Sequence, residues 1–75
     1  FSAAWCGPCQ TFKPTMKELA SEGYNIEFVD VDEQGDLAIE FNIRSVPTTV
    51  IMENGQEVER LIGAQTKRRM VEVLG

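Results

Sequence analysis

The sequence has 75 residues, enough for one domain, with an ordinary globular balance of 43% hydrophobic and 25% charged side chains. A net charge of −5 argues against nucleic acid and anionic membranes as partners, because both call for a basic face. No apolar run approaches the roughly 20 residues that span a bilayer, and the two cysteines are too few for the disulfide framework of a secreted mini-protein.

In chain order, Phe1-Ser2-Ala3-Ala4 reads as the end of a strand. From Gly7 to about Glu22, the apolar residues Phe12, Met16, Leu19 and Ala20 fall at i, i+4, i+7 and i+8, which is one helix face. Pro8 suits the first turn of that helix, Pro14 should kink it, and Gly23 ends it. Ile26 to Asp32 is β-branched and aromatic with apolar side chains on both faces, so it reads as a strand buried between layers. Gly35 to Phe41 gives a short helix, followed by a loop ending in Val46-Pro47. Thr48 to Met52 is a strand, Asn54-Gly55 a hairpin turn, and Glu57 to Ile62 the return strand. The charges at Glu57, Glu59 and Arg60 suit an edge that must not aggregate. Gly63 breaks the strand. Thr66 can cap a last helix running to about Leu74, with Met70, Val71 and Leu74 facing inward. Phe12, Phe28, Phe41 and Val50 are expected in the core.

The order β-α-β-α-β-β-α predicts an α/β fold in a single domain over residues 1–75. The first two strands form a right-handed parallel unit, and the hairpin makes the last two antiparallel. A four-stranded mixed sheet with helices on both faces follows.

Cys6 falls at a helix start and Cys9 one turn in. Unpaired N–H groups and the positive end of the helix dipole favour a thiolate there. Cys6 would attack a substrate disulfide, and Cys9 would then displace the product thiol from the mixed disulfide. Gly7 and Pro8 limit the shapes of the small ring, and Trp5 supplies an apolar wall. Two other readings stand beside this one. Zinc needs four ligands, and the chain offers two Cys and no His. Two inert buried cysteines fit the flanking Trp, Gly and Pro poorly. Elsewhere, Asp30 and Asp32 read as solvated or capping carboxylates rather than a metal pair. Lys67 to Arg69 reads as a solvated helix face rather than a docking patch.

Trp5-Cys6-Gly7-Pro8-Cys9 with Pro14, Val29 to Glu33, Phe41 to Thr48, Asn54-Gly55 and Gly63-Ala64 together resemble the thioredoxin family, in order and over nearly the whole chain. The resemblance implies the thioredoxin fold and dithiol–disulfide exchange with protein substrates. It implies that Cys6 is the exposed nucleophile and Cys9 the buried resolving thiol, with no bound cofactor beyond their redox-active disulfide. Pro47 matches the family's cis-proline. Val46 would offer its backbone to an extended substrate segment. Trp5, Gly7, Pro8, Ile43, Gly63 and Ala64 would surround the cysteines as an apolar groove. A thioredoxin reductase or an equivalent electron donor would be the second partner of a monomer, and the cytoplasm its place.

The match also has departures. The family's usual N-terminal strand and helix are missing, and native residues are expected upstream of Phe1. The family's buried Asp would fall immediately before Phe1. The Lys that usually accompanies it matches Phe28, and Gln10 stands where a Lys is common. Two alternatives remain. One is a glutaredoxin-like reductase using glutathione, although Ala64-Gln65-Thr66-Lys67 lacks that family's Gly-Gly-x-Asp motif. The other is a binding subunit of a larger assembly, in which the fold matters and the thiols do not.

Overall fold

The computed structural model describes residues 1–75. Its longest element, α1 (Gly7–Ser21), starts directly after Cys6 and runs unbroken through Pro14. Cys9, Phe12, Met16 and Leu19 form its buried stripe, the i, i+3, i+7 repeat of one helix face. Gly23, at φ 104°, takes the left-handed conformation that stops the helix. Then come α2 (Gly35–Glu40), β1 (Thr48–Glu53), β2 (Gln56–Ile62) and α3 (Lys67–Leu74). Each boundary lies within one residue of the sequence expectation.

β1 and β2 form an antiparallel hairpin, turned at Asn54 and Gly55, both with positive φ. That pair of left-handed residues matches the right-handed twist of the flanking strands. The register shifts between Ile51 and Met52, where Ile51 faces Glu59 and Met52 faces Glu57. Val58 is therefore the extra residue of a bulge, the feature that twists an edge away from further pairing.

The main core joins α1 to the second half of the chain. Phe12, Met16 and Leu19 pack with Leu61 of β2 and Met70 of α3. Leu19 and Met70 are wholly buried, each stabilising the fold by about 2 kcal/mol relative to exposure. Val71 turns outward, contrary to expectation, and Val73 takes its place against the core. Met70, Val73 and Leu74 stand at i, i+3 and i+4, so they share a face that Val71 cannot join. On the surface, Lys67 Nζ sits between Glu18 Oε1 at 2.7 Å and Glu22 Oε2 at 2.6 Å, tying α3 to α1.

The expected four-stranded sheet is only partly realised. Two rows are long enough to be strands, β1 and β2. The other two meet at a single parallel bridge between Ser2 and Asp30. Ser2 N–H donates to the Val29 carbonyl at 2.8 Å, and Val31 N–H to the Ser2 carbonyl at 2.9 Å. On its other side, Phe1 exchanges two hydrogen bonds with Thr48, at 2.8 and 3.2 Å, the pattern of an antiparallel pair. The rows thus lie in the order 29–31, 1–2, β1, β2. Residues 25–28 and the outer part of β1 both border one apolar space. An apolar groove of about 310 Å³ opens there, lined among others by Phe12, Ile26, Phe28, Phe41, Val50 and Ile51. This corrects the expected core. Phe12 is buried, but Phe28 is exposed and Phe41 and Val50 are half-buried, because their apolar surfaces face the groove. Phe41 gains one firm neighbour, the ring of Phe1 at 5.6 Å between centroids.

Candidate active site

Ser2 is held in the bridge to Asp30, and the chain then turns sharply, with Cys6 N–H donating to the Ala3 carbonyl at 3.2 Å. Cys6 is extended (φ −90°, ψ 110°) and is the N-cap of α1. Its Sγ accepts the Cys9 backbone N–H at 3.2 Å, the bond a Ser or Asp oxygen usually makes at that position. Pro8 occupies the first turn without an N–H to satisfy, and no carboxylate stands in that turn to oppose a thiolate. Local sequence thus places a sulfur at the positive end of a helix. Cys6 and Cys9 are joined in a disulfide, with Cα atoms 5.2 Å apart.

Both cysteines are buried, Cys6 at 4% exposure and Cys9 at 2%. The exposure expected of Cys6 is not found in this oxidised state. Ala3 packs with the pair, and Val31 and Val46 cover it from two other segments. The Val46 carbonyl oxygen lies 3.6 Å from Cys6 Sγ. In the disulfide that sulfur carries no proton, so this is a contact; a Cys6 thiol would have a proton to donate there.

The Val46–Pro47 peptide bond is cis. Pro47 is buried and lines the apolar groove together with Cys9. The Pro47 carbonyl accepts the Gly63 N–H at 2.8 Å, so the loop after β2 is fastened beside the segment that touches Cys6. Thr48, 2% exposed, satisfies its hydroxyl by donating to the Ser45 carbonyl at 2.7 Å.

The expected site residues therefore divide. Cys6, Cys9, Val46, Pro47 and Gly63 are linked by direct contacts or hydrogen bonds. Gly7 and Pro8 are exposed at the helix start, and Ala64 is exposed next to Gly63. Ile43 is half-buried, with its N–H bonded to the Ala38 carbonyl at 2.9 Å, and no hydrogen bond ties it to the cysteines. Trp5 is 71% exposed, yet its Nε1–H donates to Asp32 Oδ2 at 2.9 Å. Asp32 sits in a turn folded by Asp30, whose Oδ1 accepts the N–H groups of Asp32 and Glu33 at 2.8 and 3.3 Å.

Sequence reasoning missed four contributors: Ala3 and Val31 as apolar cover, Gln10 as a tie, and Asp32. Gln10 Nε2–H donates to the Ala3 carbonyl at 3.1 Å, bracing the turn before Cys6. A signal for Asp32 did exist, since an indole N–H held against protein generally finds an acceptor.

A disulfide-forming Cys-x-x-Cys pair at a helix N-terminus, roofed by a loop that leads into an antiparallel hairpin, defines a class of thiol–disulfide proteins. The chain belongs to the thioredoxin family, whose family model matches residues 1–75. It is 46% identical over 67 residues to Thioredoxin H2 of Arabidopsis thaliana, covering 87% of this chain and 50% of that protein. The chain thus spans half the length of that relative. A mutant thioredoxin from Halobacterium salinarum superposes with a TM-score of 0.92 at 36% identity, covering 99% of this chain and 66% of the other. A bifunctional thioredoxin reductase/thioredoxin of Mycobacterium leprae is 39% identical over 74 residues, covering 95% of this chain and 16% of the relative.

Proposed function

We propose that this protein is a thiol–disulfide oxidoreductase that reduces disulfides in protein substrates through Cys6 and Cys9. One observation carries the reading: Cys6 Sγ is the cap of α1 and accepts the Cys9 N–H at 3.2 Å. In the reduced protein the same N–H would donate to a thiolate. A charge-assisted bond is stronger than a neutral one, so the cap favours the nucleophilic form.

The reaction then balances on two sulfurs. Cys6 thiolate attacks one sulfur of the substrate disulfide, forming a Cys6–substrate S–S bond and releasing the first substrate thiolate, which takes a proton. Cys9 gives up its proton and, as thiolate, attacks Cys6 Sγ, forming the disulfide seen here and releasing the second substrate thiolate, which takes a proton. The substrate gains two electrons from the protein and two protons, one from Cys9 and one from solvent. The pair stores the electrons, so no other cofactor takes part. Trp5, Gly7, Pro8, Ile43, Val46, Pro47, Gly63 and Ala64 form the surface the substrate meets. The Val46 carbonyl, 3.6 Å from Cys6 Sγ, accepts a hydrogen bond from a protonated Cys6 thiol or from an N–H of an extended substrate segment, as in strand addition.

A dithiol donor must reset the pair. A relative whose printed name joins thioredoxin reductase to thioredoxin supports a reductase as that donor. No helix is long and apolar enough to cross a membrane. We place the monomeric protein in the reducing cytoplasm, where such a donor operates. The glutathione-dependent and purely structural alternatives gain no support from these relatives.

Insulin reduction coupled to dithiothreitol tests the proposal. Cys6→Ser should abolish turnover, and Cys9→Ser should accumulate a mixed disulfide visible by mass. A Cys6→Ser protein with unchanged turnover would overturn the assignment. The expected reduction potential lies near the value characteristic of thioredoxins as a class, about −270 mV, and far from the −120 mV or so of a strong oxidant.

A further inference from the structure

Trp5 combines two properties that seldom coincide. Its ring is 71% exposed, and its position is nevertheless fixed from two directions. One anchor is covalent, the backbone immediately before Cys6. The other is the Asp32 carboxylate, 27 residues away in sequence, which accepts the indole N–H at 2.9 Å.

The second anchor is itself held. The parallel bridge of Ser2 to Asp30 fixes the strand end. Asp30 then uses its side chain to gather the N–H groups of Asp32 and Glu33, and its carbonyl accepts the Gln34 N–H at 2.8 Å. The turn has a defined shape, and Asp32 projects from it at a set place. Asp30 therefore positions Asp32, and Asp32 positions Trp5.

An exposed indole free to rotate loses conformational entropy when a partner presses on it, whereas a ring already held does not. Large rigid aromatic side chains are also the commonest anchors of protein interfaces. We propose that Asp32 is a positioning residue for substrate recognition: it holds Trp5 as a preorganised apolar wall beside Cys6, against which a protein disulfide substrate docks. The effect is on docking and not on the exchange of electrons between sulfurs. This inference rests on the disulfide-reductase reading of the site.

Trp5 is the only tryptophan in the chain, so with the Cys6–Cys9 disulfide kept oxidised its fluorescence follows the state of this one ring. Three proteins decide the matter: wild type, Asp32→Ala and Asp32→Asn. The Asn amide oxygen can accept the same indole bond without the charge. Steady-state kinetics with insulin should show a KM raised about 3- to 10-fold in Asp32→Ala, with kcat within twofold. Asp32→Asn should restore KM to within twofold of wild type. Reduction of the Cys6–Cys9 disulfide by dithiothreitol, which needs no docking surface, should be unchanged in all three. Trp5 emission anisotropy should fall in Asp32→Ala and recover in Asp32→Asn. An unchanged KM in Asp32→Ala, a loss confined to kcat, or failure of Asn to rescue would overturn the inference while leaving an active wild type in place. A wild type that reduces no disulfide overturns the reading of the site itself, and this inference with it.

Discussion

The backbone N–H of Gly63 donates to the carbonyl of Pro47 at 2.8 Å. This bond fastens the loop that ends β2 to the segment that enters β1, next to the Val46 carbonyl that faces Cys6. Gly63 holds φ at 87°, in the left-handed region, with open space where a β-carbon would stand. The cost of Gly63→Ala is therefore backbone strain alone, about 1 kcal/mol. Urea denaturation should show a lower midpoint with an unchanged slope. A variant as stable as wild type would show that this conformation is not required.

Leu19 is wholly buried where α1 meets β2 and α3. Leu19→Ala removes its packing and leaves a cavity, at a cost of about 3 kcal/mol. That is a large share of the stability of a 75-residue domain. Thermal unfolding followed by circular dichroism should place the variant's midpoint well below that of wild type.

Thr66 caps α3, its Oγ1 accepting the Arg69 N–H at 3.1 Å. Thr66→Ala leaves that donor to water and should cost about 1 kcal/mol. Thr66→Ser keeps the hydroxyl and should recover most of the loss, read as the difference between the two denaturation midpoints.

Lys67 is held between Glu18 and Glu22, whose hydrogen bonds raise its pKa from 10.5 to about 12. A raised pKa in the folded state means that folding favours the proton. The contribution is fully present below pH 10.5 and fades as pH rises through about 12. Lys67→Met should therefore be less stable than wild type at neutral pH, by a small amount because the ammonium is solvent-exposed. The gap should close in strong alkali and narrow at high salt. A gap that does not narrow at all at high salt or as pH rises past 10.5 would mean that packing of the Lys stem, and not its charge, joins the helices.

The helices and the hairpin were legible in the sequence because their causes are local. The Phe12, Met16, Leu19 repeat gave α1, and Asn54-Gly55 gave the turn between β1 and β2. The cysteine pair was legible for the same reason: a helix start and a short ring both depend on neighbours in the chain. Phe28 and Val50 read as core because they are apolar. Whether an apolar strand residue is covered depends on what packs beside it, and here Phe28 and Val50 line an open groove. Val71 was misplaced for a simpler reason, since an apolar residue one step past Met70 turns about 100° from the buried face.

Trp5, Cys6, Gly7, Pro8 and Cys9 by themselves determined the chemistry, because a thiol's reactivity follows from its place at a helix end and from the sulfur three residues on. Sequence also determined the elements, through periodicity and turn residues. Only the tertiary structure decided what stands around the sulfurs: the Val46 carbonyl over Cys6, Pro47 fastened to Gly63, and Asp32 holding Trp5. These partners lie 16 to 40 positions apart along the chain, Pro47 to Gly63 being the nearest and Cys6 to Val46 the farthest. No local preference links residues at such distances. They meet because the sheet rows and the packed face of α1 bring their segments together.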